Sequence, residues 1–153
     1  MADRHRHDYA SGIERHRAAK DSYFRTSPAS PIPTSRRPTF SGLQYFPVDP
    51  ALRFEGLQLQ PYRGEAPSAF EIPTSDGQLR PAHRVGSFTF RAGGARCSLT
   101  AYVIDGGGSA TIFVPFLDGT SGVESYGAGR YLDLEPEDDG TYVLDLNVAY
   151  HPY

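Results

Sequence analysis

Between Phe113 and Glu135 the chain reads FVPFLDGTSGVESYGAGRYLDLE, an apolar run leading into a segment that carries Asp118, Thr120, Ser121, Glu124, Ser125, Tyr126 and Arg130. No other stretch gathers so many chemically able side chains. Carboxylates move protons, hydroxyls and a phenol exchange hydrogen bonds, and a guanidinium holds an anion. Glycines at 119, 122, 127 and 129 leave the backbone free to turn and to approach a ligand closely. The competing reading is a long hairpin connection in which the charges only pair with each other. Arg130 is the only Lys or Arg after Arg96, so Asp118, Glu124 or Asp133 should claim it. A site at this loop predicts contact between Arg130 and Glu124, with Tyr126 or Asn147 in the same pocket.

Other chemistries fit less well. Gly127-Ala128-Gly129-Arg130 lacks the Lys-Ser/Thr pair of a phosphate-binding loop and leads into a strand, not a helix. Ser121 has no nucleophile-elbow surround, and the histidines fall at 5, 7, 16, 83 and 151, which does not build a triad. His5 and His7 beside Asp3 and Asp8 would have to be ordered before they held a metal, so neither a metal nor a cofactor is expected. Acid–base hydrolysis remains open, with Glu124 or Asp118 as general acid or base and Asp145 as a third carboxylate. Aromatic and basic residues do not interleave along any one strand as a nucleic-acid stacking platform requires, so nucleic acid is not an expected partner.

The elements that must position these groups follow from periodicity. Ser11-x-x-Glu14 has capping-box spacing and predicts a helix over 11–25, preceded by a flexible leader over 1–10. Pro28, Pro31, Pro33 and Pro38 then argue against helix and predict a surface strap over 26–39. From Phe40 the apolar period becomes two, the spacing of strands. Candidate strands are Leu52 to Leu59, bent at Gly56; Phe70 to Pro73; Val85 to Arg91; Cys97 to Ile104; Ile112 to Leu117; Tyr131 to Leu134; and Thr141 to Tyr150. Turn pairs separate them, among them Asp76-Gly77, Gly93-Gly94, Asp118-Gly119 and Asp139-Gly140. The reading is a mainly β domain over 40–153, an antiparallel β-sandwich or barrel of about seven or more strands with an N-terminal helix. Strand should exceed helix at least twofold.

With 153 residues and 39% hydrophobic content, including 10 Tyr and 9 Phe, the chain suits one domain with a core of large side chains. Net charge is −3, with eight basic and four acidic residues before Thr39 and the reverse bias after it. The basic end interleaves its charges and lacks the like-charged block of a nucleic-acid arm. No apolar run approaches a membrane span, and the first residues are charged where a secretory signal is apolar, so a cytoplasmic, membrane-free protein is expected. Cys97, the single cysteine, alternates with Leu99, Ala101 and Val103 and reads as an inert core thiol.

Phe40-Ser41-Gly42-Leu43, Tyr45 to Asp49, Gly86 to Phe90, Phe113 to Leu134 and Leu144 to Pro152 together resemble the domain of unknown function 1684 family of bacteria and archaea. The resemblance covers nearly all of the chain after residue 20. It implies a β-rich, cytoplasmic-looking protein and carries no assigned activity. The family pattern falls here on Pro115, Phe116, Asp118, Thr120, Ser121, Gly122, Glu124, Tyr126, Gly127, Gly129, Arg130, Tyr131, Asn147, Ala149, Tyr150 and Pro152. His151 stands where similar proteins usually have Asn, and Ser125 where they commonly have Thr. Family members continue into a further Cys- and Pro-containing segment with another apolar strand, so the chain is C-terminally short relative to the family pattern, through either a lost end or a short form. Residues and resemblance together predict a domain that binds a small polar ligand through Thr120, Ser121, Tyr126, Arg130 and Asn147. A hydrolase is the alternative, and a protein interaction module without ligand is the third reading.

Overall fold

The structure, a computed structural model, describes residues 2–64, 69–73, 78–105 and 111–151. The chain divides into two compact units, Met1–Pro50 and Ala51–Tyr153.

The first unit is built on a helix, α1, Ala2–Thr26. It starts well before Ser11, replacing the expected leader, because no Gly or Pro interrupts residues 2–11 and Ala and Arg are good helix formers. Asp21 fastens the chain that follows: its Oδ1 accepts from the backbone N of Leu43 at 3.0 Å and from the Tyr45 hydroxyl at 3.2 Å. Arg17 donates to the Phe46 carbonyl at 2.7 Å and lies over the Tyr45 ring. Partial burial first, and then the Asp21 charge and hydrogen bond, push the Tyr45 phenol up to about 12. The proline-rich stretch holds one short 3-10 helix, Thr34–Thr39, with Pro38 inside it. The sequence reading excluded helix there, but a 3-10 turn is too short for one missing amide donor to break it.

The second unit contains the strands: β1 Arg53–Leu57, β2 Gln60–Pro61, β3 Ala69–Pro73, β4 Leu79–Ala92, β5 Ala95–Ile104, β6 Ile112–Phe116, β7 Arg130–Leu134 and β8 Tyr142–Asp145. All pair antiparallel. One sheet runs β2-β4-β5-β6-β7, with β3 also on β4, and a separate ribbon joins β1 to β8. Gly93 and Gly94, both at positive φ, make the tight turn between the long strands β4 and β5.

The core lies between sheet and ribbon. Phe54 packs on Phe90 with ring centroids 4.5 Å apart, and Phe88 meets Tyr142 at 5.1 Å. Phe88, Val114, Leu132 and Leu144 are fully buried, and each such side chain contributes roughly 1.5–3 kcal/mol. The arrangement is a mainly β sandwich of unequal sheets, with 38% strand against 26% helix. That excess falls short of twofold because α1 is longer than its cap signal suggested. The Asp76-Gly77 turn, the glycine run after Asp105 and Pro152 lie outside the described residues.

The final strand also differs from expectation. The alternation from Thr141 to Tyr150 stops being strand at Asp145, and Leu146–Val148 form a 3-10 turn. Asp145 Oδ1 accepts from the backbone N of Asn147 at 3.0 Å and from its Nδ2 at 2.9 Å. That local bond competes with the sheet ladder and bends the chain away. Val148 is therefore exposed, whereas Asp145 and Asn147 are buried. The chain then crosses to the free edge of β7, where Tyr131 and Tyr150 exchange backbone hydrogen bonds of 2.8 and 3.1 Å.

Candidate functional site

The loop between β6 and β7 is tied by its own bonds. Thr120 O accepts from the backbone N of Val123, Glu124 and Ser125 at 2.9–3.0 Å, and Ser125 O accepts from Gly122 N at 3.0 Å. Ser121 Oγ accepts from the backbone N of Asp118 at 3.1 Å. Asp118 Oδ1 accepts from Thr120 N at 2.9 Å and from Thr120 Oγ1 at 2.5 Å, and that same hydroxyl meets Ser125 Oγ at 2.9 Å. The loop closes at Gly129, whose φ of +100° favours glycine and where a Cβ would lie 2.6 Å from the Phe116 carbonyl oxygen.

Register decides what Arg130 meets. It stands opposite Phe116 across the β6–β7 ladder, which puts its guanidinium beside Asp118 and over the Phe116 ring, 5.2 Å from its centroid. Arg130 and the Oδ2 of Asp118 form an ion pair, with the Arg side chain mostly buried at 11% exposure and the Asp side chain at 35%. The expected contact with Glu124 is not formed. Glu124 sits exposed on the loop, its backbone N bonded to the Thr120 carbonyl.

Partial burial works to raise the pKa of Asp118. The hydrogen bonds from Thr120, with the charge and hydrogen bond of Arg130, outweigh it and hold the carboxyl below its ordinary value. Tyr126 is partly exposed, and its ring lies 6.0 Å from that of His151, tilted by 32°. Beside this, the Tyr150 hydroxyl donates to Asp133 Oδ2 at 2.6 Å, and burial first and then that carboxylate raise the Tyr150 phenol well above its usual range.

The structure thus gathers Asp118, Thr120, Ser121, Ser125 and Arg130, and sets Tyr126 against the chain end at His151. Asn147 has a different setting: it is buried and donates to Asp145, whose Oδ2 lies 3.7 Å from Arg53 Nη1. Arg53 was not singled out from sequence. The Asp-x-Asn spacing at 145–147 was the readable signal, since Asp side chains accept from the backbone two residues on. No group of three or more His, Cys, Asp or Glu able to hold a metal occurs among the described residues. No described helix is long and apolar enough to cross a membrane.

The family model described as protein of unknown function (DUF1684) matches residues 38–153. The chain belongs to this family. The resemblance read from the loop and strand motifs is therefore correct. No curated protein matches the chain. Among solved structures, the DUF1684 fold described above is similar to the solution NMR structure of an uncharacterized protein from Haloarcula marismortui. That likeness has 36% identity and a TM-score of 0.69, and covers 98% of this chain and 82% of that one.

Proposed function

We propose that this DUF1684 member is a binding domain that takes a small polar ligand at the 118–130 loop. The observation that carries the reading is the saturation of Asp118. Its carboxylate is met by the Thr120 amide, the Thr120 hydroxyl and Arg130. A carboxylate so held is a poor general acid near neutral pH and a weakened base, which counts against the hydrolase reading for that residue. What the bonds do build is a pre-ordered loop, which lowers the ordering cost of holding a ligand. The groups it presents outward are the Glu124 carboxylate and the Tyr126 ring beside His151, which suit recognition by charge, hydrogen bond and ring contact.

The reading is tested by NMR titration of the 15N-labelled full chain with a panel of small amines, amino acids and sugars. The expected result is saturable amide shifts confined to residues 118–131 and 150–151, weakened at least tenfold by Tyr126→Ala. Saturable shifts elsewhere, or none on this loop across the panel, would overturn it.

A further inference from the structure

Arg84, on β4, has surroundings unlike those of Arg130. Its guanidinium carbon lies 5.3 Å from the centroid of the Tyr62 ring and 5.9 Å from that of Tyr102, its cross-strand neighbour on β5. Its Nε is buried with no hydrogen-bond partner, and no carboxylate among the described residues pairs with it. Shortage of acid is not the reason, since the chain has 18 acidic residues against 15 Lys and Arg. The nearest acid along its strand pair, Asp105, is engaged by His83 at 3.1 Å. A buried guanidinium donor without an acceptor is costly, and buried polar groups are nearly always satisfied.

The fold brings the two rings to this side chain by close backbone approach. Residues 84–86 interrupt the regular β4–β5 register, and Gly86 takes the position where a Cβ would lie 2.1 Å from the Gln60 carbonyl oxygen. The missing side chain lets β2 lie against β4, and Tyr62 N then donates to the Val85 carbonyl at 2.9 Å. The Tyr62 ring comes back over Gly64, where a Cβ would fall 1.8 Å from the phenol oxygen. Two glycines thus permit one face of the Arg84 site.

We infer that Arg84, held between Tyr62 and Tyr102, is a binding site for a small oxyanion, a carboxylate or phosphoryl group. The tyrosine rings sit near the guanidinium by cation–π attraction; with Nε covered, the two Nη groups of this half-buried side chain are the edge left for approach. That edge carries coplanar N–H donors, whose fork matches two oxygens of one oxyanion. The rings also exclude water, which strengthens a charged hydrogen bond made there. The site is separate from the 118–130 loop and does not rest on the reading given for it.

The test is an NMR titration of the full chain with sodium phosphate and, separately, sodium acetate, at constant ionic strength, read on the Arg84 Nε–Hε signal and the amides of residues 62, 84 and 102. A saturable shift with either anion is expected, and the tighter of the two identifies the head group. Arg84→Lys keeps the charge and removes the fork, and should weaken binding at least tenfold while the spectrum stays dispersed. Gly64→Ala displaces the Tyr62 ring without touching the charge, and should weaken binding about threefold or more. No saturable shift with either anion would overturn the inference, as would undiminished binding in Arg84→Lys. Shifts confined to residues 118–131 would assign the anion to Arg130 instead and overturn it equally.

Discussion

The tripeptide Asp-Gly-Thr occurs twice in this chain, at 118–120 and at 139–141, and makes the same side-chain bonds both times, although Gly140 is at positive φ and Gly119 is not. In each copy Asp Oδ1 accepts from the Thr amide at 2.9 Å and from the Thr hydroxyl, at 2.5 Å in the first and 2.6 Å in the second. In each copy the Asp carboxyl is held below its ordinary value. At Asp139, fully exposed, the Thr141 hydroxyl is the main cause. At Asp118 partial burial opposes the shift, and Thr120 and Arg130 overcome it. The Thr bonds are thus ordinary turn chemistry, reproduced where no site is suspected. What distinguishes the 118 copy is the mostly buried arginine opposite it.

The comparison can be broken most strongly at the backbone. Gly129→Ala places a Cβ against the Phe116 carbonyl at a φ that glycine tolerates best, and should cost roughly 3 kcal/mol in chemical denaturation. Gly140→Ala, also at positive φ but with open space around it, should cost about 1 kcal/mol. Equal losses would show that the first loop is no more constrained than the second.

Arg130→Ala comes next. It removes the partner of a half-buried carboxylate and should cost about 1–3 kcal/mol, reduced by solvent at the exposed side of Asp118. A change within about 0.5 kcal/mol would mean that the pair is ornamental and that the two turns are equivalent.

The smallest effect is on acid titration. A carboxyl lowered by folding contributes stability above its ordinary value of 3.8 that is lost as pH falls through the folded value. Carboxyl 13C titration should find Asp118 and Asp139 both below 3.8. Arg130→Ala should raise Asp118 and leave Asp139 unmoved. An unmoved Asp118 would assign its shift to Thr120 alone.

The strands were largely legible from sequence because large apolar residues alternate with polar ones, and β3 to β7 contain or closely match the runs read that way. The helix start was misplaced because a capping pattern at Ser11 and Glu14 can sit inside a helix that simply continues. The β8 end was misread because Asp145 and Asn147 keep the alternation while their side-chain bond bends the backbone. At the loop, Asp118 was one of the three acids expected to claim Arg130, and the contact with Glu124 that a site predicted was not the one formed. Arg130 meets whatever lies beyond Phe116 in the ladder, and no spacing rule for a loop rich in glycine gives that register. Arg84 was hidden for a related reason: its two rings come from β5 and from the residue after β2, and neither is near it in sequence.

The ribbon of β1 and β8 pairs Arg53 with Asp145, across most of the length of the second unit. By contrast, β4 and β5 are joined by a two-glycine turn and can meet within microseconds of chain motion. Closing the long loop between β1 and β8 carries an entropy cost that must be met before Leu144 and Phe54 gain their packing. The long hairpin is therefore the natural early structure, and the ribbon, which completes the core, is the late one. A nascent chain still lacking its last dozen residues would hold the larger sheet with its inner face uncovered, and Phe88 and Phe90 would face water until β8 arrives.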